Sequence, residues 1–523
     1  MCSDRLKFII VTFFFLCFLS VMTACKTEKR NHVYSDVPDE NIAKGRNLAS
    51  LYCQSCHALP DPSLADAATW INGILPQMGP RLGIFRYNHQ NYPSDRADHN
   101  LPKDFYPAKP MLTDQEWQWI LDYYGATSPD SLKSSDGAVM IEKNLPFFKV
   151  LKPTGSFANP ATIMVRIAKD VPGSAITVAD AIENTITCFD SLLQIKYKIL
   201  VPGPAVQLIR DSPSRWIVCD IGVLNPNNGR FGKLLSVPVK PENKQDSIRT
   251  LYDSLRRPVQ ILEADLNRDG RKDLLVCEYG NLLGSLSWFE QEYGGAYTKH
   301  ILRLSPGAIR AEINDYNHDG LPDIWCLFAQ GDESIMLFTN LGNGHFSTKQ
   351  ILRFPPIYGS SYFELQDFNK DGFPDILYTC GDNADYSTIL KPYHGVYLYL
   401  NDGRNNFSQK YFFPMNGAYK AMARDFDGDG DLDIACISFF PDFTETPEEG
   451  FVYLENRGGY SFNPYSFPEA SEGRWLTMDI GDLDGDGDQD IIIGNLSVAP
   501  SFITRHPDWK KGPAFIILKN RSR

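Results

Sequence analysis

Apolar positions along the chain follow four patterns in turn. Residues 8–22, FIIVTFFFLCFLSVM, form an unbroken apolar run behind Arg5 and Lys7, too short for an ordinary membrane-spanning helix. Residues 26–39 are mostly polar and charged. Between 40 and 126 the apolar residues recur at helical spacing. Ile42, Gly45, Leu48, Ala49 and Tyr52 predict one helix, and DPSLADAATWINGILPQMG predicts a second that ends near Pro76. PMLTDQEWQWILDYYG predicts a third, opened by a capping box of Thr113 and Glu116 and striped by Trp117, Ile120, Leu121 and Tyr124. After a polar linker at 127–144, residues 145–523 change to short runs rich in β-branched and aromatic residues, broken by turns.

Those short runs repeat. Five segments read D-x-[DN]-x-D-G-x-x-D and then an apolar strand, beginning at Asp265, Asp315, Asp367, Asp425 and Asp482. Third strands recur in LFTNLGNGHF, LYLNDGRNNF and VYLENRGGYSF, and fourth strands in KYKILVPG, KHILRLSP and KQILRFPP. Two degenerate copies precede the five, one around Asp170 and one with its acidic loop shortened after Asp211. Seven units of four strands predict an all-β, seven-bladed β-propeller behind a small all-α domain. The last unit lacks a fourth strand, and FFKVLKPTG (147–155) is placed to supply it and close the ring.

At 523 residues the chain is too long for one ordinary core, in keeping with two domains. A formal charge of −13 argues against a nucleic-acid partner, which needs a basic face. Seventeen of its aspartates sit at the side-chain ligand positions (1, 3, 5 and 9) of the five loops, so the acidity points to metal chemistry before it points to a cationic partner. The basic n-region, the short apolar run and the small residues at 23–25 read as an export signal. Export places the remainder outside the reducing cytosol. Six cysteines beyond position 180 (Cys188, Cys219, Cys277, Cys326, Cys380 and Cys436) fall about one per repeat inside apolar runs, as small core residues do.

Two motifs carry chemistry. In each acidic loop, oxygens at positions 1, 3, 5 and 9 and a backbone carbonyl at position 7 converge on one point, with glycine at 6 permitting the bend. The ligand sets are Asp265, Asn267, Asp269, Arg271 and Asp273; Asp315, Asn317, Asp319, Leu321 and Asp323; and Asp367, Asn369, Asp371, Phe373 and Asp375. The last two are Asp425, Asp427, Asp429, Asp431 and Asp433, and Asp482, Asp484, Asp486, Asp488 and Asp490. Hard oxygen donors in that number suit Ca²⁺, about five ions in all. An EF-hand would need a bidentate Glu at position 12 and flanking helices, whereas these loops run into strands.

The second motif is C-x-x-C-H at Cys53, Cys56 and His57. Two cysteines on one helical turn reach both vinyl groups of a porphyrin, and the following histidine approaches its iron. Zinc would need a second ligand pair, and His89 and His99 lack paired spacing. A thioredoxin-like site would need a preceding strand where this sequence reads as helix.

Residues 40–126 resemble class I c-type cytochromes, on the initial helix, the C-x-x-C-H run and the final aromatic helix. That resemblance implies one covalent haem c, a crossing of Gly45 with Tyr123 or Tyr124, and a methionine on the distal side of the iron. Met78 is the first candidate for it and Met111 the alternative. The repeats resemble the FG-GAP/VCBS family, the calcium-loop propellers also seen in integrin α subunits. Met22-Thr23-Ala24-Cys25 resembles a lipoprotein cleavage box, with Met22 departing from the usual leucine, and implies lipidation of Cys25 and tethering to a bacterial membrane on its periplasmic or cell-surface side.

Together these expectations describe an exported electron carrier joined to a calcium-braced binding scaffold. Its partners would be a redox protein or small-molecule electron donor, a membrane reached through the lipid, and a glycan or protein ligand. The enzymatic alternative makes the propeller a dehydrogenase that passes electrons to the attached haem. Trp216, Trp288, Trp325 and Trp475 do not share a register as the docking tryptophans of quinone-cofactor propellers do, and the sequence leaves the question of catalysis open.

Overall fold

The computed structural model describes residues 30–85, 98–133, 140–153, 159–168, 173–240, 247–382, 389–498 and 508–522. The apolar run at 8–22, Cys25, His89 and Asp170 lie outside the described residues.

Seven four-stranded antiparallel sheets form the blades of a β-propeller. The innermost strands of blades 1–7 are Thr162–Ile167, Ala205–Ser212, Pro258–Ala264, Ala308–Asn314, Ser360–Gln366, Ala418–Arg424 and Trp475–Gly481. Blades 1–6 are each built from four consecutive strands. Blade 7 takes its outer strand from the start of the domain: Lys149–Leu151 pairs with Phe515–Lys519, in the register Lys149↔Lys519 to Leu151↔Ile517. The ring is closed as the repeat pattern predicts.

Second strands are packed between neighbouring blades on both faces, so they read as continuous apolar runs without alternation. In blades 3–7 every residue of the second strand is buried. Cys219, Cys277, Cys326, Cys380 and Cys436 lie on second strands and Cys188 on the third strand of blade 1, all buried free thiols.

Side chains of the inner strands also join one blade to the next. Gln207 accepts from Ile261 N, Gln260 from Ala311 N, Glu312 from Leu365 N and Glu364 from Ala423 N. Lys420 donates to Met478 O, and Asp479 accepts from Ile167 N, tying the last blade to the first. Each bond satisfies a buried or part-buried backbone group on an inner strand. All seven inner strands carry a register shift at their second residue, a bulge that re-aims the third side chain.

The N-terminal unit is held by two long helices, α1 (Asp39–Tyr52) and α2 (Asp114–Thr127). Thr113 and Glu116 form the capping box that opens α2. The helices cross at Gly45, where a Cβ would lie 1.9 Å from Trp119 O and 2.8 Å from Tyr123 Cβ. The segment between them differs from the single helix expected to stop near Pro76. It is a chain of short turns: Pro62–Leu64, Ala67–Thr69, a π turn at Trp70–Ile74, Leu75–Met78 and Gly79–Leu82. Pro76 begins a turn here instead of ending one, because its missing N–H falls in the first turn of Leu75–Met78, where none is needed. The wider π turn just upstream sets that phase.

Candidate functional site

Helix α1 runs into a 3-10 turn, Cys53–Ser55, which places Cys53 half-buried and Cys56 exposed at the helix end. Burial pushes the Cys53 thiol up to about 11, with Cys56 adding to the shift. His57 follows with its ring Nδ1 2.8 Å from Ala58 O. Assigning the ring proton to Nδ1, as that carbonyl requires, leaves the Nε2 lone pair free to bind a metal. Burial lowers the pKa of His57 and favours this neutral form. The loop beyond is fixed from the core. Trp70 Nε1 donates to Pro62 O at 2.8 Å, and Tyr124 Oη donates to Pro60 O at 3.2 Å, the two rings standing 4.3 Å apart.

The motif opens onto a cavity of about 1480 Å³. Cys53, Cys56, His57, Met78 and Met111 all line it, as do Trp70 and Tyr124. Met78 is half-buried against the helical core, whereas Met111 is 52% exposed, with its backbone N–H on Leu82 O. His99 is exposed and does not line the cavity. Two thiols, an imidazole with a free nitrogen, thioethers and aromatic walls make a donor set and a lining that fit a haem. The volume exceeds the ~300–1,000 Å³ of ordinary ligand pockets.

The opposite wall is the propeller. Ile357 belongs to the hydrophobic core of the helical unit, and Tyr393 Oη lies 3.1 Å from Leu64 O and 3.3 Å from Ile357 O. Asn228 donates to Asp98 at 2.9 Å. The Asp332–Arg353 ion pair (2.7 Å) lies near enough to His57 to influence its titration. The third residues of the seven inner strands (Met164, Gln207, Gln260, Arg310, Tyr362, Lys420 and Thr477) all face this cavity at the mouth of the central channel. Sequence reading missed this ring because its members lie some fifty residues apart and share no residue type. The one usable signal was positional, the third place of each inner strand.

The acidic loops connect first to second strands, at the end of the blades away from the cavity, and none of their ligand residues lines it. Their glycines at position 6 (Gly270, Gly320, Gly372, Gly430 and Gly487) have φ between +80° and +95°. The first aspartate folds each loop: Asp265, Asp315 and Asp367 accept the N–H groups of positions 5 and 6, while Asp425 accepts from Gly428 and Gly430 and Asp482 from Gly485. The ninth aspartate is a brace. Asp273, Asp375, Asp433 and Asp490 are fully buried, and each accepts one N–H from its loop and another from the end of the third strand; Asp323 accepts Asn340 N.

The five loops are therefore not equivalent. Asp425, Asp427 and Asp429, and likewise Asp482, Asp484 and Asp490, bring carboxylate oxygens within 4.8 Å of one another. In the other three, asparagine stands at position 3, and Asn267, Asn317 and Asn369 donate to the aspartate at position 5. Basic side chains also meet the loops. Arg271 pairs with Asp269, Lys519 with Asp484, and Lys370 with Asp431 at 3.0 Å. Asp486 accepts the backbone N–H of Asp488 at 3.2 Å, and Asp488, 5% exposed, has no hydrogen-bond partner on either carboxylate oxygen. Burial and the neighbouring carboxylates push it up to about 7. A cation in this loop would satisfy it, so its side chain is a ligand candidate where only its carbonyl had been expected.

Fold and loops together define a closed propeller with acidic loops. Residues 265–326, 315–378 and 425–493 match the FG-GAP-like repeat, so the chain carries FG-GAP-like repeats in a seven-bladed β-propeller. No curated protein matches the chain. Among solved structures, it is similar to the N-terminal domain of Nup159 (11% identity, 74% of this chain and 98% of that one, TM-score 0.42). It is also similar to the WD40 β-propeller domain of Doa1 (11%, 71% and 97%, TM-score 0.42) and to BBS1N crystallised with ARL6DN (10%, 71% and 97%, TM-score 0.39). At these TM-scores none of them bears on function.

Proposed function

We propose that the protein is an exported haem c electron carrier whose calcium-binding propeller serves as a docking or ligand-binding scaffold. One observation carries this reading: the C-x-x-C-H turn and both candidate methionines face a single large cavity that the propeller closes. Cys53 and Cys56 would hold the macrocycle, and His57 and Met78, or Met111 in its place, would flank its iron. When bound, the haem supplies reversible one-electron transfer. The chain's own part is positional. Ala58 O fixes the His57 ring, Trp70 and Tyr124 hold the loop behind it, and the propeller forms the facing wall. The acidic loops would bind Ca²⁺, with those from Asp425 and Asp482 the strongest because their carboxylates converge. Cys25 would carry the lipid that tethers the protein to a bacterial membrane from outside the cytoplasm.

The second reading, a dehydrogenase propeller feeding the haem, is favoured by the polar channel mouth on the same cavity. Stopped-flow mixing with candidate sugars, alcohols and amines separates the two. The carrier shows haem reduction only with a redox protein or chemical reductant, and reduction at a catalytic rate by a small substrate overturns it.

A further inference from the structure

We infer that the channel mouth of the propeller binds a small solute bearing a carboxylate or phosphate group, held between Arg310 and Lys420 against Tyr362. The three residues occupy the same third position on the inner strands of blades 4, 5 and 6. The Arg310 guanidinium lies 4.8 Å from the Tyr362 ring centroid and Lys420 Nζ 4.9 Å from the same centroid. Two cations thus lie beside one aromatic ring, and all three residues line the cavity.

Their local bonding leaves capacity for a ligand. Arg310 donates to Glu312 at 2.9 Å, but its Nε has no partner. Lys420 spends one of its three donors on Met478 O at 2.7 Å. The nearby carboxylates are already engaged: Glu312 with Arg310 and Leu365 N, Glu364 with Arg424 and Ala423 N, and Asp479 with Ile167 N. Burial, then the neighbouring Arg310, lowers Lys420 to about 8, against the opposing pull of Asp479 and Glu364. The wider wall agrees. Eight arginines and lysines line the cavity against four aspartates and glutamates, in a chain whose formal charge is −13. A guanidinium with an open Nε and an ammonium with donors to spare, in a partly desolvated cleft, are the groups that oxyanion recognition uses.

The site belongs to the propeller and does not depend on whether the C-x-x-C-H turn carries haem. Calorimetric titration of the purified full chain with malonate and, separately, with inorganic phosphate at matched ionic strength tests it, with malonamide as the uncharged control. Saturable binding of malonate or of phosphate is expected, and the tighter of the two identifies the source. Arg310→Gln and Lys420→Gln should each weaken it at least tenfold, while Lys420→Arg stays within a few fold, all with circular dichroism matching the parent. The Cys53→Ala/Cys56→Ala protein should bind as the parent does. Absence of saturable binding by both anions, or unchanged binding in both glutamine variants, overturns the site. Loss of binding in the folded double-cysteine variant also overturns it, because the cations would then serve the group held at the C-x-x-C-H turn.

Discussion

At the scale of single residues, burial decides which side chains hold unusual protonation states. Glu333 is 2% exposed, accepts the N–H groups of Ser360 and Gly359, and has its carboxyl pushed up to about 7 by burial. The folded state keeps a proton that the unfolded chain loses near its ordinary value of 4.5. This group's contribution to stability is therefore full below that value and falls as pH rises to about 7. Glu333→Gln should flatten that fall, by roughly 1–3 kcal/mol at pH 8 relative to pH 5. Urea unfolding of both proteins across this range checks it, and parallel stability–pH curves would contradict the assignment. His57 and Cys53 were singled out at this scale by their spacing on one turn, and both line the cavity. Arg310, Lys420 and Asp488 were not: their significance comes from neighbours that only the closed ring supplies.

At the scale of elements, the two long helices were readable from period and capping, and their crossing at Gly45 leaves no room for a side chain. Gly45→Ala should destabilise the helical unit by about 1–3 kcal/mol or more, since the obstruction is the backbone at Trp119. A separate, lower melting transition for that unit is the expected readout. The middle segment was misread because Pro76 signals a helix end only if the preceding turn is regular, and Trp70–Ile74 is not.

The Asn or Asp at position 3 of the acidic loops was plain in the sequence, whereas the inward bonding of position 9 was not. These roles separate experimentally. Asp375→Ala leaves the Phe368 and Asn401 N–H groups without their acceptor and should cost roughly 2–5 kcal/mol with or without calcium. Asp427→Ala should lower the melting temperature only when Ca²⁺ is present, and equal losses in EDTA would show that the fourth loop needs no ion.

At the scale of the whole molecule, closure was the most legible feature, because a missing fourth strand at one end of the domain matched a spare strand at the other. Lys149–Leu151 has no partner without Phe515–Lys519. Ending the chain at Pro513 should open blade 7, expose the edge of Asp490–Asn495 and produce aggregation or an early unfolding transition. A truncated protein as stable as the parent would contradict a closed ring. The relation of the two domains was not legible, since no local pattern indicates that Tyr393 and Asn228 dock the helical unit over the channel mouth.

On the proposed function, the cavity between the domains would hold a haem bound covalently through Cys53 and Cys56. A pyridine haemochrome spectrum of protein matured in a periplasm with haem-attachment machinery tests it most directly. The expected result is the spectrum of a haem with two thioether bonds, one per chain, that stays with the polypeptide through acid–acetone extraction and is lost in Cys53→Ala/Cys56→Ala. A protein that matures without haem, or releases it to the solvent, would contradict it.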